Sequence, residues 1–453
     1  MFEKTKEKLA ELGVKISDEA MSNISTCNDW YKGEKTAFHG RHSLGGIDYD
    51  LLRLNFAKRV CADEANLCEI IKIESEKTDL TEFVNDTLKA NQFNVMYREQ
   101  LEAMSATGTV GAYVYLKGAS LFDDGTIKGG DIKVNYCKAE NIIPMTIING
   151  DVIECAFIGE GIQDGVAVDQ TLIYRLKNGI YEMTMVSLNK KGEAIIAPPE
   201  PLGDVKPFAL MRLAEVNNKD YMDGYGYPKL MDAIPYLKGL ELAYNVLYGD
   251  VDKADKIMLI NEMFGEKNKD NEMVLSDEQK KYFIAVSEKF PEEKSLIHEY
   301  NPSIRVDMMQ PTFELLLGLL SQQYGYGNKK YTFEHGTVTT ATQYILEKSA
   351  EMQSLNKQRF QSIQYIEGIS KAMRWFANKY QDKSYDVNVP LNIDFDDSVI
   401  TDKQAKLDSM RTDIISFEIP KIKIMYLMEK YGWSEDETKG YLNEPDVTIE
   451  PVE

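Results

Sequence analysis

The apolar positions of this chain change period several times, and those changes divide it. The most pronounced stretch runs from about Ile297 to Tyr380. It reads as a strand-like lead-in (IHEYNPSIRVDMMQ), a short apolar helix (PTFELLLGLLSQQYGYG), a glycine-punctuated loop and a long helix. Phe313, Leu316, Leu317 and Leu320 share one face at helical spacing, and Leu315 and Leu319 widen it. A helix apolar around that much of its circumference has to be covered, by its own core or by another subunit. Pro311 suits a first helical turn, where its missing N–H is not needed. Gly325 and Gly327 end the helix. The long helix starts at Thr340, with Gln343 as its capping-box partner, and runs without proline to about Tyr380. If straight it spans ~60 Å, and a shift of apolar phase between Leu355 and Ile363 predicts a bend.

The rest of the chain follows the same logic. Residues 1 to about 105 read mainly helical. Ser17 or Asp18 caps a helix running to Trp30, and Tyr49 to Ala65 carries a second helical set. Cys68 to Ile73 is strand-like, and Asp79 with Glu82 opens a capped helix that ends before Gly108. From Val110 to about Leu210 the period is two, with Val110, Ala112, Val114 and Leu116 alternating. Asn149-Gly150 and Asn178-Gly179 mark tight hairpins, and Asp124-Gly125 and Lys191-Gly192 mark further turns. This predicts an antiparallel, meandering β module on a helical base.

From Tyr227 to about Lys256 the helical period returns through Ile234, Leu237, Leu240, Tyr244, Leu247 and Val251. Pro228 suits a first turn, while Pro235 implies a kink or a later start. Ile257 to Gln310 is mixed, with IMLI, FIAV and SIRVDMM strand-like around a charged stretch. Beyond the long helix come a strand within Tyr385 to Phe395, an acidic turn (DDSVITD), two or three helices ending near Leu442, and an acidic tail. The fold class is α+β, without internal repeats.

Composition narrows the class. At 453 residues the chain has room for two to four domains and a substantial core. No apolar run is long enough to span a bilayer. The opening MFEKTKEKLAELG is a charged amphipathic helix without the apolar centre of a secretory signal, which points to cytosol. The five cysteines are odd in number and include no CxxC pair, so they read as free thiols in a reducing compartment. The net charge of −21 argues against tight sequence-independent grip on nucleic acid, which runs on phosphate neutralisation. It does not oppose a protein that lets DNA slide past.

There is no GxxxxGK[ST], no GxSxG, and no GxGxxG after a strand in a βαβ setting. His39 and His42 lie in HGRHS, which reads as a basic loop, and the adjacent Glu334 and His335 lack a third orienting group. Asp394, Asp396 and Asp397, with Asp402 beyond, form the best acidic cluster. Carboxylates at alternate strand positions can hold a divalent cation, but a solvated strand end before a capped helix is the plainer reading. Lys329 and Lys330 are the basic pair at the start of the loop after the apolar helix. No enzyme, cofactor or metal is expected.

Several fragments in order carry a family resemblance. PYLKGLELAYNVLYGDVDKADKIML, IHEYNPSIRVDMMQPTFELLLGLLSQQYGYG and TVTTATQYILEKSAEMQSLNKQ resemble the first stem helix, the clip exit with the second stem helix, and the start of the long helix in portal proteins of tailed bacteriophages. The resemblance covers roughly Asn28 to Leu442. It implies a homo-oligomeric ring, typically a dodecamer, at one capsid vertex of the virion, assembled in host cytoplasm. Double-stranded DNA is packaged and ejected through its channel without sequence-specific contact. Partners so implied are the large terminase, the major capsid protein and scaffold, and a head–tail connector or adaptor.

The implied division is a wing over 1–226, a first stem helix over 227–256 and a clip over 257–310. A second stem helix (311–324), a tunnel loop (325–340), the long helix with a wing strand (341–401) and a crown (402–453) follow. The tunnel loop would turn Asn328, Lys329, Lys330, Thr332, Glu334 and His335 toward DNA. Phe313, Leu316, Leu317, Leu320, Leu237 and Tyr244 would pack subunit on subunit. Two other readings stand beside it. One is a different structural phage adaptor, which particle shape separates. The other is a metal-dependent nuclease on Asp394, Asp396 and Asp397, which requires Mg²⁺-dependent DNA cleavage lost in Asp396→Ala.

Overall fold

The structure, a computed structural model, describes residues 2–40, 42–44, 47–121, 127–163, 166–188, 194–252, 254, 257–261, 283–286, 297–300, 304–327, 330–331, 341–395, 407, 410–415 and 420–443. It is an α+β protein. The N-terminal part holds α1 (Phe2–Glu11), α2 (Asp18–Lys32), α3 (Phe56–Ala65), α4 (Thr78–Ala90) and α5 (Phe93–Thr107). Ser17 caps α2, its hydroxyl accepting the Ala20 N–H at 3.2 Å. The second helical set starts only at Phe56. The preceding backbone is committed elsewhere, Leu51 donating to the His39 carbonyl and Leu52 to the Asn245 side chain. The helix expected from Asp79 to Gly108 is two helices. The Asn91 side chain donates to Thr87 O and Ile132 O and accepts the Val134 N–H, so contacts to a strand fix a break there.

The β module follows the alternating pattern. A small hairpin, β1 (His42–Leu44) with β2 (Ile47–Tyr49), and the strand β3 (Ile70–Glu74) precede it. β4 (Thr109–Lys117), β5 (Ser120–Leu121), β6 (Ile127–Lys128) and β7 (Asp131–Lys138) come next. Then follow β8 (Ile142–Ile148), β9 (Asp151–Gln163), β10 (Val166–Lys177), β11 (Ile180–Leu188), β12 (Ala194–Ile196), β13 (Glu200–Gly203) and β14 (Phe208–Arg212). One antiparallel sheet has the order β12-β11-β10-β9-β8, with β13 also on β11, and a second has the order β14-β4-β7. Asn149-Gly150 and Asn178-Gly179 both have positive φ at each residue (51° and 80°, 53° and 80°), the conformation a two-residue hairpin demands. The Asp124-Gly125 and Lys191-Gly192 turns lie outside the described residues.

α6 (Lys229–Asp252) starts straight after Pro228 and takes Pro235 into its interior. A three-stranded sheet follows, with β15 (Ile257–Asn261) at its centre, parallel to β16 (Phe283–Val286) and antiparallel to β17 (Ile297–Tyr300). α7 (Val306–Gln323) begins ahead of Pro311, so SIRVDMM is not a strand. Val306, Met309, Phe313 and Leu317 recur at helical steps along one groove, and that period prevails over the local alternation. α8 (Ala341–Tyr380) has the length its sequence predicts. Thr340 lies outside the described residues.

The strand expected over Tyr385 to Phe395 shrinks to β18 (Asn392–Phe395), paired with β3. Its first half is held as a loop by α8: Arg374 donates to Asp386 O and Val389 O, both at 2.9 Å, and Asn378 donates to Tyr385 O. Two helices, Pro420–Tyr431 and Glu435–Asn443, close the described chain. Among the described residues no helix is long and apolar enough to cross a membrane.

The main core joins α3, α5, β4, α6, α7 and the second half of α8. Gly368 lets α8 approach the β14 strand closely, since a Cβ there would sit 2.9 Å from the Ala209 Cβ.

Candidate functional site

The antiparallel pair α6–α7 is the element on which the expected surface falls. Leu230, Ala233, Ile234, Leu237 and Leu240 form the buried face of α6, and Leu317, Leu320 and Ser321 that of α7. Gly239 faces Leu316, where a Cβ would meet the leucine side chain at 3.0 Å, so the helices are in close contact. At the far end the Arg305 guanidinium grips both Asp250 oxygens, at 2.7 and 2.6 Å.

Six residues were expected to pack between subunits. Leu237, Leu317 and Leu320 are 2%, 7% and 0% exposed, so their surfaces are spent inside the chain, holding the pair to its own core. Phe313 and Leu316 are half-buried against the same core. Phe313, Leu317 and Tyr244 line an open groove of about 710 Å³, closed on the other side by Leu54, Phe56 and Tyr331.

The back of the pair tells a different story. Leu242, Val246, Leu315 and Leu319 are 44%, 40%, 63% and 36% exposed. Leu315 and Leu319 each stand two residues from Leu317, and Leu242 two from Leu240. A two-residue step is about 200° around a helix, so this stripe lies opposite the buried face. The pair therefore carries two separate apolar surfaces, a groove on one side and a stripe on the other.

Polar groups fix the pair to the N-terminal part. His39 Nδ1 accepts the Thr36 N–H at 3.1 Å, which leaves the Nε2 proton to be donated to Glu241 at 2.6 Å. Both side chains are buried. Glu241 also accepts the Leu54 N–H, and Asn245 pairs with both backbone groups of Leu52. His39 is thus a core residue of the helix pair, not part of a solvated basic loop. At the start of α6, Lys229 is buried against Glu64 (2.9 Å) and Glu215 (3.3 Å). Burial would pull its ammonium down, but Glu64 and then Glu215 outweigh this and raise its pKa. Neither network has a signal in the sequence, because His39 and Glu241, or Glu64 and Lys229, become neighbours only through the fold.

Of the expected DNA-facing loop, Asn328, Lys329, Thr332, Glu334 and His335 lie outside the described residues. Lys330 sits over the Tyr326 ring at 5.1 Å. Gly325 and Gly327, with φ of 77° and 74°, turn the chain so that Tyr324, Tyr326 and Tyr331 fold back against the core. In the acidic cluster, Asp394 stands opposite Lys72 in register. Asp396, Asp397 and Asp402 lie outside the described residues. Among the described residues no three His, Cys, Asp or Glu side chains are grouped to hold a metal.

No family model matches this chain. No curated protein matches it either. Among solved structures it is similar to one described as the neck of a native GTA particle computed with C12 symmetry. The identity is 12% and the TM-score 0.40, over 86% of this chain and 90% of that one.

Proposed function

We propose that this chain is the portal subunit of a tailed bacteriophage, a structural protein whose copies form a ring around the path of double-stranded DNA. The observation that carries the reading is the pair of apolar surfaces on α6–α7. A two-fold dimer needs one self-complementary patch, whereas a head-to-tail ring needs two different patches on every copy. The groove and the stripe supply two patches, on opposite sides of one rigid helix pair. In the ring, Leu315, Leu319, Leu242 and Val246 of one copy enter the groove that Phe313, Tyr244 and Phe56 border on the next. The ordered sequence fragments for stem, clip and long helix support the same reading.

In this reading α6 and α7 are the stem, β15 to β17 the clip, the N-terminal helices with the β module the wing, and the last helices the crown. The clip and its surroundings meet terminase during packaging and a connector protein afterwards, and the capsid and scaffold meet the wing. Twelve copies at −21 each carry roughly −250, which repels the duplex and lets it slide. The reading assigns the chain no catalytic step.

Electron microscopy of the purified, concentrated chain tests it. Rings with a central hole are expected, and Leu315→Ser with Leu319→Ser is expected to disperse them into folded single chains. A closed two-fold dimer, or rings whose formation ignores that double substitution, counts against the assignment. A channel lined mainly by Lys and Arg would count against the sliding mechanism.

A further inference from the structure

A second feature lies in the β module, apart from the helix pair. Between the β14-β4-β7 sheet and the larger sheet is a cavity of about 490 Å³, floored by the end of α8. Rings of Tyr113, Tyr115, Tyr174, Phe376 and Tyr380 line it. Met183, Met185 and Leu172 add flexible apolar surface from β10 and β11. Its ionisable lining consists of Glu160, Glu200 and the phenols. No Lys, Arg or His lines it among the described residues. Glu200 pairs with Met183, and Met183 with Tyr174, so the three project from the same face of their sheet.

The phenols of Tyr113, Tyr174 and Tyr380 stay neutral. Burial pushes Tyr113 up to about 12, and burial together with Glu200 does the same for Tyr380. The rings therefore offer their electron-rich faces in a cavity also lined by the exposed carboxylates of Glu160 and Glu200. Lys379, on α8 next to the cavity, is already engaged. Its ammonium donates to Leu202 O at 2.8 Å and lies over Trp375 and Tyr380, at 4.9 and 5.0 Å. Tyr380, one of the lining rings, thus already holds one ammonium by a cation–π contact.

We propose that this cavity receives the arginine or lysine side chain of a partner protein segment. The aromatic faces and carboxylates select a cation, and the thioethers and leucine select the apolar stem that carries it. A protein segment is favoured over a free amine by the rim. Tyr115 and Ile127 stand 39% and 38% exposed there, and only a ligand longer than one side chain covers them. The proposal stands independently of whether the copies form a ring.

The test is a titration of the full chain, labelled at its methionine methyl groups, with three probes followed by NMR. The probes are acetyl-Leu-Arg-Leu-amide, the same peptide with citrulline for arginine, and n-butylguanidine. The arginine peptide is expected to shift the Met183 and Met185 methyl signals, and Glu200→Gln to weaken its binding about three- to fivefold. The side chain of Glu200 is at the surface, so this variant keeps the fold. Equal binding of the citrulline peptide overturns the choice of a cation. Unchanged affinity in the Glu160→Gln, Glu200→Gln double variant, or no response to millimolar peptide, overturns the site. n-Butylguanidine binding as tightly as the peptide overturns the protein segment as the source.

Discussion

The second half of α8 and the α6–α7 pair are built from similar material and end in different states. In α8, Tyr365, Ile366, Ile369, Ala372, Met373, Phe376 and Ala377 are all buried against the sheets and α5. No large apolar side chain from Tyr365 to Tyr380 is left exposed. In α6–α7 the leucines are as dense, yet Leu242, Val246, Leu315 and Leu319 stay in water. Sequence apolarity alone does not distinguish the two cases. The difference is supplied by what the fold brings up to each helix. α8 is covered by strands on one side and the N-terminal helices on another, whereas α6–α7 has cover on one side only. An uncovered apolar stripe on a well-ordered helix is the ordinary mark of a surface that another molecule covers.

The strongest challenge to this contrast is to cut the two covered faces equally. Leu320→Ala in α7 and Ile369→Ala in α8 each remove a fully buried side chain and are expected to cost about 2–5 kcal/mol in urea unfolding. If Leu320→Ala costs no more than a surface change, α7 is not anchored as described. Next, His39→Ala leaves the Glu241 carboxylate buried without its donor. A loss of about 2–4 kcal/mol is expected, with Glu241→Gln restoring part of it in the double variant. Additive single-variant losses in that cycle would show that the pair is not coupled.

A third test uses pH, because the covered side also holds the titrating groups. Burial pushes the thiols of Cys27, Cys68 and Cys137 up to about 12, and the Lys229 pKa is raised by its carboxylates. Groups with raised folded pKa values contribute all their stability below their unfolded values. They lose it as pH rises through the folded ones. Thermal melting should therefore hold steady up to pH ~8.5 and fall progressively toward pH ~12. A flat melting profile across that window would mean these groups are not buried as described. The smallest effect is expected from the uncovered stripe. Leu315→Ser with Leu319→Ser should move single-chain stability by no more than about 0.5 kcal/mol, read on dilute monomer. A larger loss would show that the stripe is covered within the chain after all.

How much of this was legible beforehand depended on range. The hairpins at Asn149-Gly150 and Asn178-Gly179 and the span of α8 could be read because turn chemistry and helical period are local. The start of α7 at Val306 was missed because SIRVDMM satisfies both periods, and only the groove it lines decides between them. The break at Asn91 and the loop from Tyr385 to Leu391 depend on side chains reaching distant backbone, Asn91 to β7 and Arg374 across from α8. For the surface, Leu317 and Leu320 were expected to face outward, and both are buried within the chain. Leu317 and Leu320 differ from Leu315 and Leu319 in which way they face, and that becomes readable only once the core has claimed one side.

The fork between Arg305 and Asp250 has a consequence for the chain between the two helices. The chain leaves α6 and re-enters α7 at almost the same point, and residues 253–304 are spliced between two ends already held together. Loop-closure entropy changes by only about 0.6 kcal/mol for each halving of the length between those ends. The ion pair thus joins the two ends of the helix pair directly, so the intervening chain is not what brings them together.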